Sequence, residues 1–227
     1  MKKKVFKLLV LLFVICFVFY GCKKKQQVDP TPQVDPIDVI DPVDDDTPKE
    51  EKLTDKVTIE DNGYVAGENG NKYALLKIMN RNSIPVTVIV DIKYNNGTTE
   101  KLSILVGVNK YSYVIAKNTK DTIAYDYTFD AAKDAFEDYN NIYNAIKLGC
   151  TNTGTNLILT IENNSTQTIN PKVLMFFKKN DEIVAVKEVK VDNIAATDVK
   201  KETIEYPVGS GQEKISFDKV QVLLNEL

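Results

Sequence analysis

Histidine is absent from all 227 residues. That removes Ser-His and Cys-His nucleophile pairs, the ordinary general base near neutral pH and the commonest zinc ligand. Three cysteines, Cys16, Cys22 and Cys150, are the first residues to weigh for reactivity. Cys150 stands in Leu148-Gly149-Cys150-Thr151-Asn152 with no base beside it to depress its pKa, and a packed structural role is expected. Ser210 in Gly209-Ser210-Gly211 lacks the strand and helix context of a nucleophile elbow, and no phosphate loop is present. Two carboxylate groups suggest a cation. Asp44, Asp45 and Asp46 lack the alternating ligands, turn glycine and bidentate terminal acid of a calcium loop. Asp130, Asp134, Glu137 and Asp138 are better read as the solvated face of a helix. No cofactor, no metal and no enzymatic activity is expected, a hydrolase being the least supported reading. The remaining reactive residue is Cys22, whose chemistry depends on what precedes it.

Lys2, Lys3, Lys4 and Lys7 lead into an apolar run over residues 8–20, followed by Gly21 and Cys22. The run suits a signal peptide and is shorter than the ~20 residues a helix needs to span a bilayer. Ordinary secretory cleavage after Gly21 would need a small residue where Phe19 stands. The Gly21-Cys22 pair resembles the lipobox of bacterial lipoproteins, although Phe19 and Tyr20 are bulkier than that pattern usually has. The resemblance implies cleavage after Gly21, lipid on Cys22 and a mature chain on the extracytoplasmic side of a bacterial membrane. An uncleaved anchor is the alternative, and it too places the chain at a membrane. With Cys16 removed and Cys22 lipidated, Cys150 has no intrachain disulfide partner.

Net charge is −3 for the whole chain, and loss of the four signal lysines makes the remainder more acidic. Nucleic acid is therefore not an expected partner. Lys23, Lys24 and Lys25 would lie against anionic headgroups, or form a solvated charge run with no specific role. Residues 22–52 form the lipidated N-terminus and its tether, where Val28-Asp29-Pro30, Val34-Asp35-Pro36 and Asp41-Pro42-Val43-Asp44 recur. Proline favours extended backbone and the aspartates repel one another, which predicts a semi-rigid spacer without a core.

The rest of the chain carries an internal similarity. Lys120-Asp121-Thr122-Ile123-Ala124-Tyr125 recurs as Lys201-Glu202-Thr203-Ile204-Glu205-Tyr206. Phe136-Glu137 pairs with Phe217-Asp218, and Leu76-Lys77-Ile78-Met79-Asn80 with Leu159-Thr160-Ile161-Glu162-Asn163. Each copy alternates as strands do: Val86, Val88, Val90, Ile92 and Tyr94 share one face before the Asn95-Asn96-Gly97 turn. Val173, Met175 and Phe177 do the same before Lys179-Asn180-Asp181-Glu182. Both preceding strands stop at asparagine-rich corners. These features predict an all-β chain of two tandem antiparallel sandwiches over 53–141 and 142–227, after a signal over 1–21. A short helix is expected near 130–139, where Ala132, Ala135, Phe136 and Tyr139 share a face. A strand over 142–148 should follow it. Tyr111 and Tyr113 alternate in a strand, where exposed tyrosines could anchor an interface but plain sheet packing is the commoner reading.

Over residues 157–227 the Ile161-Glu162-Asn163-Asn164-Ser165 corner, the Val173-Leu174-Met175-Phe176-Phe177 strand and the Thr203-Ile204-Glu205-Tyr206 strand resemble small immunoglobulin-like modules of bacterial lipoproteins, of the FxLYD type. Lys179-Asn180-Asp181 and Ala196-Thr197-Asp198 stand where such modules usually have Asp-Gly and Pro-Gly turns. The resemblance implies Ig-like sandwiches serving as an interaction or spacer module, with no catalytic residue to carry over. The expected function is a non-catalytic binding module of the cell envelope with a protein or cell-wall partner, or else a passive spacer or structural subunit.

Overall fold

A computed structural model describes residues 52–119, 123–134, 136 and 138–227. Gly21, Cys22, the signal and the tether lie outside these residues, as do Lys120, Asp121, Thr122, Ala135 and Glu137. Lys49–Leu227 forms one compact unit. The described part is all-β, with twelve strands: β1 (Val57–Ala66), β2 (Lys72–Asn80), β3 (Val86–Tyr94), β4 (Thr99–Val106), β5 (Tyr111–Thr119), β6 (Tyr125–Lys133), β7 (Ile146–Asn152), β8 (Leu157–Asn163), β9 (Lys172–Lys179), β10 (Glu182–Lys190), β11 (Val199–Ile204) and β12 (Lys219–Glu226). One α-helix, α1 (Tyr139–Ala145), separates β6 from β7.

The expected helix near 130–139 is corrected on two counts. Residues through Lys133 belong to β6, which pairs with β3 along its whole length, and the helix begins at Tyr139. Tyr125, Tyr127, Phe129 and Ala131 all turn inward from β6 onto the core, so burial across the sheet outweighs the local helix propensity of the alanines. The strand expected over 142–148 is displaced toward the C-terminus, because residues 142–145 belong to α1. Its first turn is helical, with Ile142 buried, and β7 runs from Ile146.

Strands β1–β6 and β7–β12 repeat one connectivity. In the first half the strand neighbours are β1-β2-β5 and β4-β3-β6; in the second they are β7-β8-β11 and β10-β9-β12. Each half closes a core between its two sheets. Leu76, Ile78, Val88, Val90 and Ile92 fill the first; Leu159, Ile161, Met175, Phe177 and Ile194 fill the second. The alternation read from Val86 to Tyr94 matches the burial along β3.

The two halves are not separate bodies. β10 of the second half pairs in parallel with β1 of the first at Ala66 and Ala185, making one six-stranded sheet of order β12-β9-β10-β1-β2-β5. In a flat sheet, strand spacings near 4.8 Å would hold the edge strands β12 and β5 about 24 Å apart. Instead, Asn225 of β12 is hydrogen-bonded to Tyr113 of β5, and the Tyr113 and Phe176 rings lie 4.7 Å apart. The sheet therefore folds back on itself, and its two halves face each other across a third core of Val65, Tyr73, Leu75, Ile115, Leu174 and Val186. Tyr113, 9% exposed, belongs to this core, and Tyr111 packs against it, as sheet packing rather than an exposed interface role requires.

The repeat is most exact in side-chain bonding at the two corners. Asn80 and Asn163 are both fully buried. Asn80 Nδ2 donates to the carbonyls of Ile84, Val106 and Gly107, while Oδ1 accepts from Asn82 N–H and Nδ2. Asn163 Nδ2 donates to Gln167, Ile194 and Ala195, while Oδ1 accepts from Ser165 N–H and Oγ. The backbone N–H of each also donates across the corner, to Lys110 and Asp198 respectively. Each asparagine thus ties one strand end to a distant loop. Tyr125 and Tyr206, matched in the sequence repeat, both bond the first strand of their own half, through Asp61 at 2.7 Å and Asn152 at 2.5 Å. The Phe136 and Phe217 match is different: Phe136 follows β6, whereas Phe217 precedes β12.

Candidate functional site

The sequence-derived site residues Gly21 and Cys22, and the acids Asp44, Asp45 and Asp46, fall outside the described residues. Cys150 lies on β7, half-buried, packed against the second core. Burial pushes its thiol pKa up, opposite to what an activated nucleophile needs. Ser210 sits at the tip of the 209–214 turn, where Gly209 and Glu213 close on each other by backbone hydrogen bond. A side chain at Gly70, which has φ +72, would meet the Ser210 backbone, so this tip is packed against the 68–70 turn of the first half. It serves as a joint between the halves.

The carboxylates read along one helix face have separate local tasks. Asp130 accepts from the Ala131 N–H, and Asp134 accepts from the Thr87 hydroxyl and the Phe136 N–H. Asp138 is the residue before α1. Among the described residues no group of three or more cysteines or acids is placed to hold a metal ion. No helix among them is long and apolar enough to cross a membrane.

Three of the clefts among the described residues are lined by the sheets and the joint. One of about 380 Å³ lies on the outer face of β4-β3-β6, where Asp91, Lys93, Lys101 and Asp126 alternate in sign. Lys101 reaches Asp91 at 3.5 Å, and the cleft has the character of a solvated, charge-balanced sheet face. A second, of about 390 Å³, follows the joint beside Glu68, Lys187 and Tyr206.

The third cleft, about 240 Å³, lies where β5 approaches β12. Its walls come from both halves: Leu102 and Ile104 of β4, Ile115 of β5, and the charged ends of β9, β10 and β12. Lys117 pairs with Glu188 at 3.0 Å, and Lys172 pairs with Glu226. Glu100 accepts from the Tyr94 hydroxyl at 3.0 Å. At one end of the cleft Asn225, only 3% exposed, accepts from the Tyr113 N–H at 2.7 Å and donates to the Tyr113 carbonyl at 3.0 Å. Ser112 Oγ adds a bond to the Asn225 carbonyl. The cleft thus combines an apolar wall, a strand edge and paired charges.

Sequence reasoning found none of this seam, because it is built by residues more than a hundred positions apart. A signal did exist. β2 reads Tyr73-Ala74-Leu75-Leu76 and β9 reads Val173-Leu174-Met175-Phe176-Phe177, apolar on both faces. Strands of that kind must be covered on both sides. Compared with known protein families and with curated proteins, the chain matches none.

Proposed function

We propose that this chain is a bacterial lipoprotein, cleaved after Gly21, lipidated on Cys22 and displayed on the extracytoplasmic side of the membrane as a non-catalytic interaction module. The Asp-Pro stretch up to residue 52 is its tether. The folded body is a duplicated pair of Ig-like sandwiches of the FxLYD type, over 53–141 and 142–227, whose inner faces are fused. Support for the duplication comes from the repeated strand order and from the matched bonding of Asn80 and Asn163.

The observation that carries the reading as a module is the chemistry of the sheet faces. The faces that meet inside present Leu75, Ile115, Leu174 and Phe176. Their counterparts outside present Asp91 and Lys93 on β3 and Lys201 and Thr203 on β11, all exposed. One scaffold, used twice, is apolar where it joins and polar where it ends. Such a pair is a finished rigid body that can hold a binding surface in fixed orientation. A passive spacer or a structural envelope subunit is the second reading, favoured by the Asp-Pro stretch that would hold the body away from the bilayer.

Immobilised residues 49–227, incubated with detergent-solubilised envelope, separate the two. Enrichment of one partner, competed by free protein, is expected for the module. A monomeric, partnerless body would leave the spacer.

A further inference from the structure

Resting on the reading of the chain as a binding module, we propose that the cleft between β4 and β5 receives an extended basic peptide, which adds to β5 as a strand beyond Asn225. β5 is an edge strand of the six-stranded sheet. Its edge already accepts a strand-like partner, because the Asn225 carboxamide exchanges both bonds with Tyr113 as a paired residue would. Outward backbone groups alternate along an antiparallel strand, so those of Ile115 point the same way as those of Tyr113, into the cleft. β12 has its last paired residue at Glu226, opposite Lys172. Past Asn225 the edge of β5 lies along a cleft of about 240 Å³ where no strand among the described residues pairs with it.

The walls define the occupant. A strand laid along Ile115 would turn alternate side chains toward Leu102 and Ile104 on one side and toward the charged ends of β9, β10 and β12 on the other. On the charged side Lys117 and Lys172 are each taken by a glutamate. Glu100 accepts from the Tyr94 hydroxyl and leaves the cleft with one carboxylate more than its amines balance. The complement is a peptide alternating apolar and cationic residues, recognised through its main chain and one lysine or arginine.

The probe is an acetylated and amidated Val-Lys-Val-Lys-Val-Lys peptide, titrated into 15N-labelled residues 49–227, the compact unit that holds all three cores. Amide shifts should concentrate at Ile115 and Lys117 and saturate. The same peptide N-methylated at every residue, which has no N–H left to donate to an edge strand from either of its edges, should lose this response. Glu100→Lys should weaken binding by about fivefold, as expected for one exposed-to-half-buried charge contact of ~1 kcal/mol. Shifts that are absent at millimolar peptide, or equal for the N-methylated peptide, would overturn the proposal. Should an envelope partner be captured and Glu100→Lys leave that capture intact, the module reading survives and the cleft is not its site.

Discussion

The side chain of Asn225 meets the backbone of Tyr113 by two hydrogen bonds, of 2.7 and 3.0 Å, and so closes a sheet whose two edge strands come from opposite halves of the chain. No ladder joins β12 to β5 among the described residues; the Asn225 carboxamide and the Ser112 hydroxyl do so. Asn225→Ala leaves the N–H and carbonyl of a buried residue without their partner. A loss of about 1–3 kcal/mol is expected, read from the midpoint of urea unfolding. Asn225→Asp keeps the acceptor and loses the donor, and it places a carboxylate beside the Tyr113 carbonyl. It should be the more damaging of the two.

The corner asparagines give a paired prediction. Asn80 and Asn163 each hold three carbonyls with one amide group, so Ala at either position strands several buried acceptors at once. Each substitution should cost about 3 kcal/mol or more, at the upper end of ordinary point mutations. The costs should be alike, because the two networks match bond for bond. A large loss for one and near neutrality for the other would show that the corners are not equivalent.

These residues also show how much of the molecule was legible. Both asparagines were visible as the ends of matching segments, Leu76 to Asn80 and Leu159 to Asn163, yet they read only as turn formers. Their burial depends on loops near Gly107 and Ala195 that local sequence does not place. The strands with one polar face, such as β3, were readable from alternation alone. β6 was not: Ala131 and Ala132 beside four nearby acids imitate a helix, and only pairing with β3 makes it a strand. Tyr111 and Tyr113 read as sheet packing, but what they pack against was not legible, because the sheet covering them arrives from the other half. Cys22 and Gly21 needed no fold to be noticed, being marked by their place after the apolar run.

Alkaline pH should weaken the body. Burial raises the Tyr113 hydroxyl pKa to about 12, with Tyr111 and Glu60 adding to the effect, and burial raises that of Tyr143 to about 12 with Tyr111 adding. Tyr94, Tyr125 and Tyr139 are pushed up further, chiefly by burial as well. A tyrosine whose folded pKa exceeds its unfolded value of about 10 favours folding fully below that value. The unfolded chain loses its proton first, so the contribution declines as pH rises from about 10 through 12. Tyrosinate absorbance should rise steeply with unfolding across this window. A stability flat across it would contradict the burial of these hydroxyls.

Attachment through Cys22 is tested most directly by fractionating cells that express the full chain or Cys22→Ala and weighing the intact protein by mass spectrometry. The wild-type chain should partition into membranes with residues 1–21 removed and the mass of lipid added at Cys22. Cys22→Ala should lack the lipid mass and retain its signal. Tight membrane association of both forms with an unprocessed N-terminus would contradict the lipoprotein assignment and leave an uncleaved anchor in its place.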